Sequence, residues 1–119
     1  MNGFTKAELL TYKPVLHSNA IEIIQTLIHG CSELGIAVDA AHQDVFNQME
    51  DLSNIETVVD GQLASELRRV WNMAEIQECY NKRSDLQLPS SADYIMANIE
   101  RYAAPDFIPT PEDVLRCRA

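Results

Sequence analysis

"TKAELLTYKPVLHSNAIEIIQTLIHGCSELG", residues 5–35, decides the fold. Leu9, Tyr12, Leu16, Ala20, Ile23, Leu27, Cys31 and Leu34 recur at spacings of three and four, and Ile24 and Ile28 widen the stripe. That period lays one apolar face along a helix. Thr5 is a good N-cap, and Glu8 three residues on completes a capping box. Gly35 suits the stop. Pro14 falls inside the stripe, where proline removes a backbone hydrogen bond and crowds the preceding turn. A kink or a late start has to accommodate it. The expectation is one helix of roughly 25–30 residues, well above the average of about 11–12, serving as the spine for the others.

Working outward, "DAAHQDVFNQMED" reads as a short helix presenting Ala41, Val45, Phe46 and Met49, and "SNIETVVDG" as a loop. Leu63, Leu67, Val70 and Trp71 make a helix face after Gly61, with Trp71 expected in the core. "AEIQECY" is another short helix from Ala74. Ser90 and Asp93 resemble a capping box for a helix carrying Ile95, Ile99 and Tyr102, closed by Pro105. Thr110-Pro111-Glu112-Asp113 announces the last helix: an N-cap, proline at the first helical position and two acids suited to the dipole. No stretch alternates as a strand does. The fold expected is all-α, one domain over residues 1–119, with one long central helix and about five shorter ones.

Composition narrows the function classes. The 119 residues carry a formal charge of −9. Residues 1–60 hold nine acids against Lys6 and Lys13, and residues 61–119 hold nine acids against seven Lys/Arg. Nucleic-acid binding needs a basic footprint, and this balance argues against it. Cys31, Cys79 and Cys117 are odd in number and form no C-x-x-C, which points to reduced thiols in a cytoplasmic protein. No apolar run approaches the length of a membrane span, and no signal-peptide pattern is present.

No complete catalytic constellation stands in these residues. His17, His29 and His42 lie near acids, but a metal needs three or four converging ligands, and none is expected here. Gly-rich phosphate loops and nucleophile elbows are absent. Arg116 and Arg118, just past a capped helix, have two readings: solvated charges at a C-terminus, or arginines aimed at a phosphate. Read as an extending chain, they project to one side, and a guanidinium fork suits phosphate oxygens.

The segments "IQECY", "LQL", "SADYIMANIERYA" and "FIPTPEDVLRCR", in this order over residues 76–118, resemble the helical domain of heterotrimeric G-protein α subunits. "GFTKAELLTYKPVLHSNAIEIIQTLI" resembles that domain's first linker and long first helix, while residues 36–60 match poorly. In the family this domain is inserted in a Ras-like GTPase domain through two linkers. The resemblance implies that residues 1–5 belong to linker 1 and residues 116–119 begin linker 2 and the first switch, so that the chain is an excised domain.

The resemblance also implies roles. Arg118 aligns with the arginine that the α subunit supplies in cis to its own GTP, the catalytic finger. Ser91, Leu115 and Arg116 would lie with it along the nucleotide. Ser90 stands where the family usually carries an acid that clasps the two domains, so the clasp should be weaker here. The parent would bind GTP or GDP with Mg²⁺ and hydrolyse GTP, whereas the fragment alone would do neither tightly. Implied partners are its own Ras-like domain, a G-protein βγ dimer, and a membrane receptor or another exchange or GTPase-accelerating regulator, at the cytoplasmic face of the plasma membrane. The alternative is a free-standing helical interaction module with no nucleotide role, using the acidic first half to hold a basic target.

Overall fold

Pro14 settles where the long helix begins. In the computed structural model, which describes residues 3–118 and only the backbone of Arg118, the Thr5 capping box forms. Glu8 N–H donates to Thr5 Oγ1 at 3.1 Å and Thr5 N–H to Glu8 Oε1 at 3.0 Å. It starts only α1 (Lys6–Leu10). The chain turns at Thr11 and Tyr12, and α2 (Lys13–Glu33) restarts with Pro14 in its first turn. First-turn N–H groups have no intrahelical acceptor, so the missing one is not needed there. A continuous helix would press the Pro14 ring against the Leu10 carbonyl. The expected single helix is therefore corrected to a five-residue piece and a 21-residue spine.

Leu16, Ala20, Ile23, Ile24, Leu27, Ile28 and Cys31 are buried as their spacing required, whereas Leu9, Tyr12 and Leu34 sit at the margin. The spine ends at Gly35, whose φ of +70° is a left-handed turn that glycine adopts without strain. Ile36 N–H reaches back to the Cys31 carbonyl at 2.8 Å and Gly35 N–H to Ser32 at 3.2 Å, the Schellman arrangement.

A short 3-10 turn at Ala40–His42 leads into α3 (Gln43–Glu50). Next come α4 (Gly61–Trp71), capped by Asp60, and α5 (Ala74–Asn81). Then follow α6 (Ala92–Ala97), α7 (Ile99–Ala103) and α8 (Pro111–Arg118). Helix α2 touches every helix from α3 to α8, so the spine expectation holds. Seven shorter helices, rather than about five, surround it among the described residues, and none of those residues is in a strand. Trp71 is half-buried, packed edge-on against Tyr80 with ring centroids 5.0 Å apart.

The added break falls at Asn98. Its side-chain Nδ2 donates to the Tyr94 carbonyl at 2.8 Å, the acceptor that its own N–H would use in an unbroken helix. The Asn98 N–H shifts to Ile95 at 3.2 Å, and the ladder restarts in α7. The Ser90–Asp93 capping box is also corrected. Ser91, not Ser90, precedes the first helical residue, and it makes no capping bond. Asp93 instead accepts from the neighbouring Tyr94 N–H at 2.8 Å.

Residues 51–60 form a strap that runs back along α2. Gln25 donates to the carbonyls of Met49 and Leu52, both at 2.9 Å. Asn54 donates to Glu22 at 2.5 Å, and Val59 N–H to His17 Nδ1 at 3.1 Å. The contacts step from residue 25 to 22 to 17 on the helix as the strap moves from 49 to 59.

Candidate functional site

Helix α8 carries the residues that the sequence singled out, and two sets of contacts fix it. At its start Thr110 and Asp113 cap each other: Asp113 N–H donates to Thr110 Oγ1 at 3.1 Å, and Thr110 N–H to Asp113 Oδ2 at 2.8 Å. The Asp113 side chain is wholly buried. Arg101 donates to both of its oxygens, at 2.6 and 2.8 Å, and the Tyr94 hydroxyl donates to it at 2.9 Å. Burial alone would raise the Asp113 carboxyl. The Arg101 fork, the Thr110 N–H and the Tyr94 hydroxyl outweigh it and hold the group at about 2. Asp113 is thus an ionised hub joining α6, α7 and α8. Val114 beside it is fully buried.

At the far end, carbonyls in the last turn of a helix lack internal donors. The Ser91 hydroxyl donates to the Arg116 carbonyl at 2.5 Å, and Asn19 of α2 reaches the Cys117 carbonyl at 3.4 Å. Ser91 is buried in making this bond, while Ser90 next to it is exposed. Leu115 is 66% exposed. The Arg116 guanidinium lies 4.7 Å from the Tyr94 ring centre and bonds Glu112 at 3.2 Å. Ser91, Leu115 and Arg116 therefore share one end of the molecule, with Ser90 flanking them.

The Arg118 side chain lies outside the described residues, as do Met1, Asn2 and Ala119 of the expected linkers. The backbone remains helical through Arg118. One expectation is thereby corrected: positions 116 and 118 lie about 200° apart around a helix of 3.6 residues per turn, not on one side of an extended chain. The spacing rule for strands does not apply because the Thr110 cap starts a helix that has not yet ended.

The buried His17 and Glu75 also have structural partners. His17 Nε2 lies 2.8 Å from the Tyr102 carbonyl, while Nδ1 accepts from Val59 N–H, so the neutral ring with its proton on Nε2 serves both. Burial depresses its basicity. Glu75, also buried, accepts from His42 Nδ1 at 2.7 Å and from Asp39 N–H at 3.0 Å. Its own burial opposes ionisation, and these bonds outweigh that and lower its pKa. Cys31 and Cys79 are buried free thiols, and burial pushes Cys31 up to about 12. Among the described residues no three His, Cys, Asp or Glu side chains converge as metal ligands. No helix among them is long and apolar enough to cross a membrane.

Asp113 is the residue that sequence reasoning undervalued. Its place three residues after a threonine N-cap is legible as a capping box. Its pairing with Arg101 comes from tertiary packing and leaves no spacing signal.

Comparison with known proteins agrees with this architecture. A profile of the G-protein alpha subunit family matches residues 1–119. The guanine nucleotide-binding protein alpha-1 subunit of Glycine max is 35% identical over 126 aligned residues, and that of Lupinus luteus 36% over 126; each covers 98% of this chain. The G(o) subunit alpha of Caenorhabditis elegans is 30% identical over 125 residues, again covering 98%. The chain spans about a third of the length of these relatives, 33–34%. The chain belongs to the G-protein alpha-subunit family, and its all-helical fold is that family's helical domain.

Proposed function

We propose that this domain is the lid over a guanine nucleotide in a GTPase, and that it supplies Arg118 as a cis arginine finger. The observation that carries the reading is the bond from Ser91 to the Arg116 carbonyl. It fastens the start of α6 to the last turn of α8, so the elements bearing Ser91, Leu115, Arg116 and Arg118 form one edge. In the parent protein that edge faces the nucleotide, residues 1–5 and 116–119 lead into the linkers, and Ser90 faces the Ras-like domain.

GTP hydrolysis spreads negative charge over phosphate oxygens, and a fixed guanidinium stabilises it. The exposed Leu115 offers an apolar surface beside the charge of Arg116, a pairing suited to ribose and phosphate. The residues that would hold Mg²⁺, position water and read guanine belong to the Ras-like part. The lid also acts on exchange, because a nucleotide held between two domains leaves only when they separate. The parent would work with a βγ dimer and an exchange or GTPase-accelerating regulator at the cytoplasmic membrane face.

The test is single-turnover GTP hydrolysis by a matching Ras-like domain with this chain added in trans. Acceleration by the intact chain and none by Arg118→Ala supports the finger. Equal acceleration by both refutes it. If neither accelerates, the same substitution in the covalently linked parent decides, and an unchanged rate there overturns the assignment.

A further inference from the structure

One face of the spine opens to solvent between α3 and residues 85–89. Three open cavities of about 340, 450 and 450 Å³ lie along α2. They are continuous, since Gln25 and Thr26 line both the first and the second, and His29 and Glu50 both the second and the third. The groove follows α2 from Asn19 to Ser32, a rise of roughly 20 Å at 1.5 Å per residue, or about four helical turns. Helix α3 forms one wall at its far end, and residues 85–89 form the other along its nearer part. The apolar lining that reaches the surface is the half-buried Val38, Leu86, Leu88 and Pro89, with the buried Ile23, Ile28 and Phe46 beneath.

The rim has a single sign. Among the described residues Glu22, Glu33, Glu50 and Asp85 line the groove, and no lysine or arginine does. The chain contains no Lys or Arg between Lys13 and Arg68, an interval holding nine acids. The strap that Glu22 and Gln25 hold against this helix also exposes Ile55 and Val58, at 83% and 72%. An apolar floor, an acidic rim and a length of about four turns are complementary to one kind of occupant.

We propose that this groove docks a basic amphipathic helix of a partner protein, with apolar side chains against Val38, Leu86, Leu88 and Pro89 and Lys or Arg over the rim. Its near end reaches Asn19 and Cys117 beside the Ser91–Arg116 edge, but its acids lie farther along α2, α3 and residue 85, and the proposal does not rest on the nucleotide reading. Anionic membrane is disfavoured by the same acids, which repel it.

The probe is a synthetic helical peptide of about 14 residues, with Leu on one face and Lys on the other, titrated into the isotope-labelled chain and followed by amide chemical shifts. A Leu/Glu peptide of the same pattern is the control. The expected result is saturable shifts confined to the groove, around Gln25, His29, Glu50 and Gln87. They should be absent with the Leu/Glu peptide and weaken at least tenfold in the Glu33→Gln/Glu50→Gln/Asp85→Asn variant. Thr26→Trp keeps every charge but fills the groove, and should abolish binding. The mutated side chains are at the surface, and unchanged amide spectra elsewhere verify the fold. Shifts scattered over Asp44, Asp60 and other distant acids, or binding that survives Thr26→Trp, would mean charge attraction alone and overturn the proposal. So would a concentration-dependent dimer through the same face, or equal binding of the Leu/Glu peptide.

Discussion

Arg101 and Asp113 meet in a two-bonded ion pair of 2.6 and 2.8 Å, with the carboxylate wholly buried and the guanidinium partly in water. The pair ties the last helix to the one before it. The same carboxylate caps α8 through Thr110 and receives the Tyr94 and Tyr102 hydroxyls, so removing it strands the donors of four residues at once. Asp113→Asn should cost about 3 kcal/mol, in the range for breaking a buried pair. Urea unfolding measures this, and a loss below about 1 kcal/mol would show the hub to be dispensable.

The depressed Asp113 carboxyl also sets an acid limb. Its folded value of about 2 lies below the ordinary 3.8. Its stabilisation is therefore complete above about pH 4 and is lost as pH falls through 2, where both states are protonated. The difference corresponds to about 2 kcal/mol. Wild type and Asp113→Asn should converge in stability as pH falls from about 5 to 2; parallel curves would assign the acid limb to other carboxylates.

His17 governs a different window. Its basicity is lowered by burial, so the unfolded chain takes up the proton first. The neutral ring's contribution is fully present above the ordinary His value of about 6.5 and declines as pH falls below it. Protonating Nδ1 would also remove the acceptor for Val59 N–H. His17→Ala should lose about 2 kcal/mol near pH 7 from two missing hydrogen bonds. It should also flatten the stability profile between about pH 7 and 5 relative to wild type. Thermal melts at the two pH values compare them directly.

Gly30 sits where α2 crosses α5. A Cβ built there would lie 2.8 Å from Cys79 Sγ and 3.0 Å from a Leu86 methyl. Gly30→Ala should therefore destabilise by about 1–2 kcal/mol, overpacking outweighing the gain in helix propensity. Cys79→Ala removes the sulfur, so the double variant should recover part of the loss, a coupling that a mutant cycle reads.

Much of this fold is legible in the chain, and the failures have specific causes. The α2 stripe and its glycine stop are periodic and local, and both are read correctly. Pro14 announces an interruption, but whether helix kinks or restarts depends on where residues 5–12 pack. Asn98 carries no such warning, since asparagine is tolerated on a helix surface until its amide captures a carbonyl. The residues of the α8 edge can be named from the resemblance. Their fastening by Ser91 and Asp113 joins residues 25 and 12 positions apart, and spacing does not reveal that.

Ser90 gives the remaining prediction, which rests on the lid reading. An exposed serine can donate a hydrogen bond across an interdomain cleft but cannot carry the negative charge expected there. In the parent protein, Ser90→Asp should slow GDP release several-fold, for a gain of about 1 kcal/mol from one charge-assisted contact. Release rates followed with a fluorescent GDP analogue test it, and an unchanged or faster rate would remove Ser90 from the clasp.

The strap of residues 51–60 is held at both ends by its main chain: the Leu52 carbonyl and the Val59 N–H are groups that α2 grips, and of the hydrogen bonds to α2 described above Asn54 alone uses a strap side chain. Main-chain groups survive almost any substitution. The identities of Ile55, Glu56, Thr57 and Val58 can therefore be rewritten while the path of the strap is kept. This makes it a natural place to graft a reporter or a recognition sequence onto the domain without disturbing the helices beneath.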